Sequence, residues 1–386
     1  MICDFAEENW PSMDLVGDML FDHLMPQSAA DLVVMKLRPP MRHRFRRIVI
    51  PGTEVSLENV DRLANRFVDY PFWLRRRVAE FDLFHIVDHS YSQLVHHLPR
   101  RRTIVTCHDL DTFRCVLEPE REKRPRWFRA ITRRVLDGFR QAAHVITVSS
   151  ATRDEVLRHR LFPPEQVSVV HNGVHPSCSP APDVAADSAA LVLLPRDFNG
   201  ARCLLNVGST IPRKRMDVLL RVFAAVHREF PDVRLIRAGA RMTRAQLDLA
   251  RELKIEDAMI ELPALSRDVL AAVYRRADLL LHTAEAEGFG LPLIEAMACG
   301  CPVIASDLHV LREVGGQATA YCPVAEIGAW KAAVVRLLNE RAQQSVAWNL
   351  RRKQAIAHAN RFSWAETARQ TASVYKAVLH TARQSR

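Results

Sequence analysis

The sequence lacks the patterns that mark several large classes of protein. It has no apolar run long enough to span a bilayer, and its first ten residues contain three acids and no basic residue, so we expect no signal peptide. Its eight cysteines include no C-x-x-C pair, and the spacing of Cys299 and Cys301 is not that of a zinc site. No predicted strand is followed by G-x-G-x-x-G, which disfavours a dehydrogenase. These absences predict a cytoplasmic protein with reduced core cysteines.

Positive charge is present in excess. The net charge is +10 at pH 7 over 386 residues, and arginine clusters fall in the first half, at residues 38–47, 75–77, 100–102 and 124–140. No interleaved aromatic platform or recognition motif accompanies them, so no nucleic-acid partner is expected. The clusters form either a solvated surface or a contact with an anionic membrane surface or a phosphorylated lipid acceptor. The second interpretation predicts a peripheral location at the inner face of a membrane.

Apolar runs that alternate with helical patterns predict an α/β fold. In the second half, helices separate buried strands that are expected over residues 203–207, 233–238, 259–262, 278–282 and 302–305. This alternation favours a parallel sheet with helices on both faces. The chain length suits two such domains. We therefore predict two Rossmann-like, doubly wound domains, joined by a linker or long loop over residues 177–199, which are rich in Pro, Ala, Asp and Ser.

The first half opens with the same strand-to-helix order. A short strand over residues 1–5 and a loop over 6–11 lead to a helix over 13–24, which Ser12 would cap. Further helices are expected over residues 60–67 and 73–80. Further strands are expected over residues 31–37, 47–50, 84–87, 103–106, 145–149 and 167–170. Ser149 or Ser150 would cap the helix that follows the strand over 145–149.

The stretch from Glu285 to Asp307, EAEGFGLPLIEAMACGCPVIASD, carries the clearest chemistry. A small loop, Gly288-Phe289-Gly290, precedes a helix predicted over residues 293–299. The N–H groups and the dipole of a helix N-terminus favour an anion. The carboxylates of Glu287 and Glu295 suit hydroxyl groups better than phosphate. The stretch therefore predicts a ligand with both phosphate and many hydroxyl groups, such as a nucleotide sugar.

Glu287 and Glu295, with seven residues between them, resemble the E-x7-E signature of the retaining GT-B fold glycosyltransferases of family 4, also called group 1. The resemblance implies two Rossmann-like domains that face each other across a cleft. They would comprise an acceptor-side domain over residues 1–185 and a nucleotide-sugar domain over 186–364, with a C-terminal helix over 365–386 that crosses back onto the first domain. It also implies transfer from a nucleotide-diphosphate sugar with retention of anomeric configuration, and neither a metal nor a further cofactor.

The family motifs also imply roles for single residues. These roles are catalysis for His108 and Glu287, donor diphosphate binding for Arg213 and Lys214, backbone contacts to the sugar and phosphate for Gly288, Phe289 and Gly290, and ribose binding for Glu295. His108, in TCHDL, would contact the donor sugar and supply a hydrogen bond or a proton. Asp88 and His89 are weaker candidates for acceptor binding.

Two segments depart from the family pattern. Ser209 stands where the common pattern has Arg, and residues 7–12 replace a glycine-rich loop, so that Glu8 and Trp10 become candidates for shaping the acceptor site. The resemblance leaves the donor nucleotide open between UDP and GDP. The acceptor would be a saccharide or lipid-linked saccharide in polysaccharide, lipopolysaccharide or glycolipid synthesis. Two alternatives stay open, which are an inactive nucleotide-sugar-binding protein and another GT-B enzyme such as a nucleotide-sugar epimerase.

Overall fold

The computed structural model describes residues 1–8, 10–27, 32–44, 58–194 and 201–384. The chain forms two compact units. The first runs from Met1 to Asn172 and includes the C-terminal residues from Trp364 onward, and the second runs from Gly173 to Ser363. Each unit is an α/β unit with one parallel sheet, which confirms the predicted fold class.

The sheet of the first unit is built from short buried strands. Its strands are β1 (Phe84–Ile86), β2 (Thr103–Cys107), β3 (His144–Thr147) and β4 (Val167–Val169), and they lie in this order. Single parallel bridges place Ile2 between Leu37 and Ile86. The strands predicted over residues 1–5 and 31–37 therefore join the sheet only at these single pairs in the described residues. The strand predicted over residues 47–50 lies outside the described residues.

The first sheet has its topological switch point at Ile2. The chain places Leu37 on one side of Ile2, and then β1 and the later strands on the other side. In open parallel sheets, ligands bind in the crevice outside the carboxyl ends of the strands at such a switch point. The residues that follow Ile2 and β1 are therefore placed for binding.

The second sheet has six strands in the described residues. These are β5 (Arg202–Gly208), β6 (Val233–Gly239), β7 (Met259–Leu262), β8 (Leu279–His282), β9 (Val303–Ser306) and β10 (Thr319–Cys322). Their order is β10-β9-β8-β5-β6-β7, so the switch point lies between β5 and β8, where Leu204 pairs with Leu279. The sequence predicts the first five of these strands and misses β10.

Apolar stripes on the helices cover the sheets. The α-helices are α1 (Pro11–Gln27), α2 (Glu58–Ala64), α3 (Tyr70–Arg75), α4 (Arg114–Leu117), α5 (Arg126–Phe139), α6 (Ser150–Arg158), α7 (Val184–Leu193), α8 (Met216–His227), α9 (Arg244–Glu252), α10 (Arg267–Arg276), α11 (Leu291–Ala298), α12 (His309–Gly315), α13 (Ile327–Gln343), α14 (Ser345–Ala359) and α15 (Trp364–Gln384). In α8, Leu219, Val222, Phe223 and Val226 follow the helical spacing and are fully buried. Each such side chain contributes about 1.5–3 kcal/mol by burial.

Helix starts depend on capping groups. The predicted cap at Ser12 is wrong, because α1 begins at Pro11 and the carbonyl oxygen of Trp10 accepts from the N–H of Met13 over 2.9 Å. Proline suits this first position, since its missing N–H would be unpaired there. The predicted cap of α6 is confirmed at Ser149, whose hydroxyl accepts from the N–H of Thr152 over 3.1 Å.

The predicted linker contains a helix of ten residues. Helix α7 lies within residues 177–199, and the predicted domain boundary between residues 185 and 186 falls inside it. Ala186 and Ala190 are buried where α7 packs against α10, and Asp187 pairs with Arg275 of α10 over 2.6 Å. The Pro, Ala, Asp and Ser composition conceals this helix, because its buried stripe consists of alanines that resemble linker residues. Residues 195–200 lie outside the described part of the chain.

The C-terminal helix α15 belongs to the first unit, which confirms the prediction that it crosses back. It packs against α1, and the Tyr375 hydroxyl lies 2.6 Å from Nδ1 of the buried His85 on β1. Nε2 of His85 lies 2.7 Å from the Thr106 hydroxyl on β2. Burial lowers the pKa of His85 to about 3, so this histidine is neutral. No helix of the described residues is both long and apolar enough to cross a membrane.

Candidate functional site

The loops that follow β5 and β8 meet at the switch point of the second sheet. The N–H of Glu285 donates to the carbonyl oxygen of Arg213 over 2.9 Å. The Thr283 hydroxyl donates to the carbonyl oxygens of Lys214 and Arg215 over 3.1 and 3.3 Å. Arg215 has a left-handed backbone conformation, with φ 50°, and turns the chain into α8. Residues that are far apart in the sequence are thereby fixed side by side.

The carboxylate of Glu287 contacts two basic groups at this place. Its Oε2 accepts hydrogen bonds from the Lys214 ammonium group and from Nε2 of His282, the latter over 3.0 Å. Burial by itself would raise the pKa of Glu287, but attraction to Lys214 and the hydrogen bond from His282 outweigh it and hold this pKa far below its usual range. Glu287 is therefore ionised, and its charge is compensated inside the protein.

Sequence reasoning misses His282. It is the last residue of β8 and its side chain is 3% exposed. Because a carboxylate only accepts hydrogen bonds, Nε2 of His282 carries the proton in this contact. The signal that could have found it is its position at the carboxyl end of the strand that leads into the motif.

The Gly288-Phe289-Gly290 loop connects Glu287 to helix α11. Gly290 has φ 95°, a conformation that favours glycine, and a Cβ at this position would lie 2.9 Å from Cδ2 of Leu311. Phe289 is buried, and its ring lies 5.9 Å from that of Phe362 between centroids. Glycine geometry and a buried aromatic ring thus fix the loop that carries the helix N-terminus.

The second carboxylate of the motif, Glu295, is buried between α11 and α10. Its Oε2 accepts from the Tyr274 hydroxyl over 3.0 Å, and its Oε1 lies 3.8 Å from Nη1 of Arg267. Burial raises the pKa of Glu295, and attraction to Arg267 and the hydrogen bond from Tyr274 oppose that rise. The sequence gives no sign of Tyr274. The role of Glu295 in binding a ribose stays a prediction.

The remaining charges of the two loops have different surroundings. Arg213 is half-buried and shares a short 3₁₀ turn, Pro212–Lys214, with Lys214. Glu285 pairs with Arg215 over 2.8 Å, and Arg215 also pairs with Asp217 over 3.0 Å. The side chain of Glu285 is 45% exposed, against 12% for Glu287. The two neighbouring acids therefore form separate ion pairs, and Glu287 is the buried one.

His108, the predicted catalytic residue of the first unit, follows β2 directly. Its Nε2 lies 2.8 Å from the carbonyl oxygen of Val87, and a carbonyl only accepts, so Nε2 carries the proton and Nδ1 is an acceptor. Burial lowers the pKa of His108, against the attraction of Asp88, which raises it. His108 and its neighbours Asp88 and His89 belong to the first unit, whereas Glu287, Lys214, Arg213 and Glu295 belong to the second.

The segment that replaces the family's glycine-rich loop is held by a buried ion pair. Glu8 accepts from Nε and Nη2 of Arg66 over 2.8 and 2.6 Å, and its side chain is fully buried. The Arg66 guanidinium also lies 4.1 Å from the centre of the Tyr91 ring. Trp10, by contrast, is 48% exposed. Glu8 is thus engaged within the protein.

The site of the second unit can bind a ligand that carries both phosphate and hydroxyl groups. Lys214 supplies a cation in a partly dry place, and Glu287 supplies a charged acceptor. No group of three or more His, Cys, Asp or Glu side chains in the described ranges is arranged to hold a metal ion.

Two protein-family models match the chain. The model of Glycosyl transferases group 1 matches residues 196–356, and that of Glycosyltransferase Family 4 matches residues 28–177. The two matches cover the motif-bearing stretches of both halves.

Curated relatives agree with these matches. The D-inositol 3-phosphate glycosyltransferase of Thermobispora bispora is 36% identical over 230 residues, which are 56% of this chain and 52% of that protein. The O-antigen chain mannosyltransferase B of Escherichia coli is 27% identical over 298 residues, which are 75% of this chain and 74% of that protein. The chain thus spans about half the length of the D-inositol 3-phosphate glycosyltransferases that it matches.

Solved structures agree on the fold. The Anabaena protein Alr3699/HepE, solved in complex with UDP and glucose, is 18% identical, and its match covers 92% of this chain and 89% of that chain with a TM-score of 0.67. At this identity the likeness concerns the fold, and it confirms the predicted GT-B fold. From the two family matches and the relatives, the chain belongs to the group 1 (family 4) glycosyltransferases.

Proposed function

We propose that the protein transfers a sugar from a nucleotide-diphosphate sugar to a hydroxyl group of an acceptor, with retention of anomeric configuration. The observation that carries the proposal is the contact of the ionised Glu287 with Lys214 and His282 at the switch point of the second sheet. This arrangement offers one positive group for a diphosphate and one negative group for sugar hydroxyls. The complex of the Anabaena protein with UDP and glucose supports this class of donor.

The diphosphate would bind to Lys214 and Arg213. Both lie in the turn after β5, at the carboxyl end of the strand, where parallel sheets bind ligands. The Lys214 side chain is only 17% exposed, so its charge is weakly screened by water. A phosphate oxygen would share the ammonium group with Glu287, and the fixed positive charge would stabilise the departing diphosphate as its negative charge develops.

Glu287 would orient the donor sugar. An ionised carboxylate has about four acceptor positions, so it can accept from sugar hydroxyls while it keeps the bonds from Lys214 and His282. Its compensated charge and depressed pKa make it a poor nucleophile. Retention would then arise when the leaving diphosphate takes the proton of the incoming hydroxyl on the same face of the sugar. His108, through Nδ1, would accept a hydrogen bond from the donor sugar.

No cofactor beyond the nucleotide sugar is proposed. Glu295, held by Tyr274 and Arg267, would accept from the ribose hydroxyls. The backbone of Gly288, Phe289 and Gly290 would contact the sugar and the phosphate at the start of α11. The acceptor would be a saccharide or a lipid-linked saccharide, and the similarity to an O-antigen chain mannosyltransferase supports a role in polysaccharide or lipopolysaccharide synthesis.

Helix α5 would contact an anionic membrane surface. It buries Thr132, Leu136 and Phe139 against the protein, while Trp127 is 61% exposed. Its solvent-exposed positions include the arginines Arg126, Arg133 and Arg134. Arginines attract anionic headgroups, and an exposed tryptophan suits the membrane interface.

Vesicle sedimentation tests this membrane contact. We expect the protein to sediment with vesicles that contain anionic phosphatidylglycerol and to stay in solution with pure phosphatidylcholine. Trp127→Ala should weaken the binding, whereas Val192→Ala, at an even more open apolar position of the second unit that is 85% exposed, should not. Equal sedimentation of both variants with anionic vesicles would contradict the role of α5.

A panel of UDP- and GDP-sugars tests the proposed transfer. We expect one donor to be consumed, either by transfer to a saccharide acceptor or by slow hydrolysis, and the product to keep the anomeric configuration of the donor by NMR. Binding without turnover would instead identify an inactive binding protein. A nucleotide sugar with an inverted ring carbon as product would identify an epimerase.

A further inference from the structure

Two carboxyl groups lie at the switch point of the first sheet. Ile2 pairs in parallel with Ile86, and Asp4 and Asp88 each stand two residues further along. The register therefore places both side chains next to each other beyond the carboxyl ends of the strands. This is the place where an open parallel sheet binds its ligand.

Both carboxyl groups are buried, but their surroundings differ. Asp88, 7% exposed, accepts from the N–H and the hydroxyl of Ser90 over 2.8 and 2.6 Å, and lies 3.3 Å from Nδ1 of His89. Asp4, 3% exposed, has no donor to either oxygen in the described part of the chain. Nε2 of the buried His89 also has no hydrogen-bond partner there.

The two carboxyl groups have pKa values that are shifted in opposite directions. Burial raises the pKa of Asp4 well above its usual range, and repulsion from Asp88 adds to the rise. For Asp88, burial also acts to raise the pKa, but attraction to His89 and His108 and the bonds from Ser90 lower it. The opposite shifts favour a protonated Asp4 beside an ionised Asp88. The oxygens of Asp4 accept from no donor of the described residues at a buried position, which is costly unless a bound molecule supplies the donor.

The described charges of this place disfavour an anion. Arg66, a cation that interacts electrostatically with Asp4, is held by both oxygens of Glu8 and lies over Tyr91. Asp109 adds a further carboxylate 3.9 Å from Nε2 of His89. Among the described residues, a phosphate placed here would meet the carboxylates of Asp88 and Asp109, and Arg66 is already paired, whereas hydroxyl groups can donate to Asp4 and Asp88.

We infer that Asp4 and Asp88 form a subsite for the hydroxyl groups of a neutral sugar or polyol acceptor, and that they exclude a phosphorylated acceptor. The inference rests on the proposed transfer reaction and names its acceptor class. The donor has two phosphates, so it suits the cationic switch point of the second unit. We therefore assign the acceptor to the acidic switch point of the first unit.

Paired acceptors test the selectivity without any substitution. The pairs are methyl α-D-mannopyranoside with D-mannose 6-phosphate and myo-inositol with D-inositol 3-phosphate, each with the donor identified by the nucleotide-sugar panel. We expect the neutral member to have the higher kcat/KM in whichever pair is used. A higher kcat/KM for the phosphorylated member would overturn the inference.

Substitutions then test the two residues. Asp4→Ala should raise the acceptor KM by about tenfold or more, as expected for a lost buried hydrogen bond, and leave the donor KM and donor hydrolysis unchanged. Asp4→Asn should have a much smaller effect, because its neutral amide also donates to Asp88. Asp154→Asn, on the exposed face of α6, is the matched control.

The outcomes separate this inference from the proposed function. A wild-type protein that neither transfers nor hydrolyses any nucleotide sugar refutes the proposed function. An active wild-type protein whose acceptor KM is unchanged in Asp4→Ala refutes the subsite alone. If Asp4→Ala does not fold, Asp88→Asn replaces it, since asparagine keeps an oxygen for Ser90 but loses the charge. An unchanged acceptor KM in that variant would refute the subsite equally.

Discussion

The two sheets carry different charges at the same topological place. At the second switch point, the acid Glu287 is paired with Lys214 and His282, so that a cation and an anion are both available to a ligand. At the first, the carboxyl groups of Asp4 and Asp88 lie side by side with pKa values shifted in opposite directions, and the neighbouring Arg66 is paired with Glu8. The fold therefore determines where a ligand binds, and the side chains after the strands determine which ligand it is.

The largest expected effect comes from the buried acid of the second unit. Glu287→Gln removes the charge that orients sugar hydroxyls, and we expect kcat/KM for transfer to fall by about 10²-fold or more, by analogy with the loss of one preorganised transition-state contact. Glu285→Gln is the matched control, because its carboxylate pairs with Arg215 at an exposed position. Steady-state kinetics with both variants checks this. Equal losses would show that the burial of Glu287 has no special role.

A smaller effect is expected at His282. His282→Phe removes the N–H that donates to the carboxylate of Glu287. We expect kcat/KM to fall about tenfold, because the carboxylate is then less well oriented. His282→Gln should recover much of the activity, because its amide can donate from a position near Nε2. If the glutamine variant is as impaired as the phenylalanine variant, the hydrogen bond is not the reason for the loss.

The comparison also predicts that a substitution in the core of the first unit lowers the stability of that unit but leaves nucleotide binding by the second unit unchanged. Tyr375→Phe removes the hydroxyl that contacts His85, and we expect the first unit to lose about 1–2 kcal/mol of unfolding free energy. Arg369→Ala, in an exposed pair with Glu366, should cost less than about 0.5 kcal/mol. Thermal unfolding of both variants, with nucleotide binding as the readout of the second unit, checks this. Weaker nucleotide binding by the folded Tyr375→Phe protein would contradict the separation.

A change of pH should have opposite effects on the folding stability that Asp4 and Glu287 contribute. The pKa of Asp4 is raised above its ordinary value of 3.8, so its contribution to stability is present below pH 3.8 and is lost as the pH rises through the raised value. The pKa of Glu287 is depressed below its ordinary value of 4.5, so its contribution is present above pH 4.5 and is lost as the pH falls through the depressed value. Each unit of pKa shift corresponds to about 1.4 kcal/mol.

Two variants test how the contributions of Asp4 and Glu287 to stability depend on pH. Asp4→Asn should gain stability relative to the wild type as the pH rises from 4 to 8. Glu287→Gln should be destabilised at pH 7, and its deficit should shrink as the pH falls below 4.5. Denaturant unfolding at several pH values measures both. Parallel pH profiles of the two variants would contradict the assigned protonation states.

Local patterns were sufficient to predict much of the second unit. The strands from β5 to β9 are continuous apolar runs with clear ends, and the E-x7-E spacing identifies Glu287 and Glu295 without knowledge of the fold. The prediction of Ser12 as a cap was wrong because Pro11, which suits the first position of a helix, starts the helix before Ser12. The linker prediction was wrong because the buried stripe of α7 is made of alanines.

Contacts between distant segments could not be predicted in the same way. His282 becomes a site residue only through β5 pairing with β8, which brings Lys214 to the same carboxylate. The pairing of Asp4 with Asp88 depends on the register of Ile2 against Ile86. Neither short-range periodicity nor a motif encodes such a register, because it results from how the whole sheet assembles.

Calorimetric titration of the nucleoside diphosphate tests the central claim most directly, since it measures diphosphate binding at the second switch point without chemistry. We expect UDP or GDP to bind the wild-type protein and Arg221→Ala, whose cation lies on an exposed part of α8, with similar affinity. Lys214→Ala should bind at least about tenfold more weakly, as for a lost charge-assisted hydrogen bond. Equal affinity of Lys214→Ala and the wild type would contradict the assignment of this switch point to the donor.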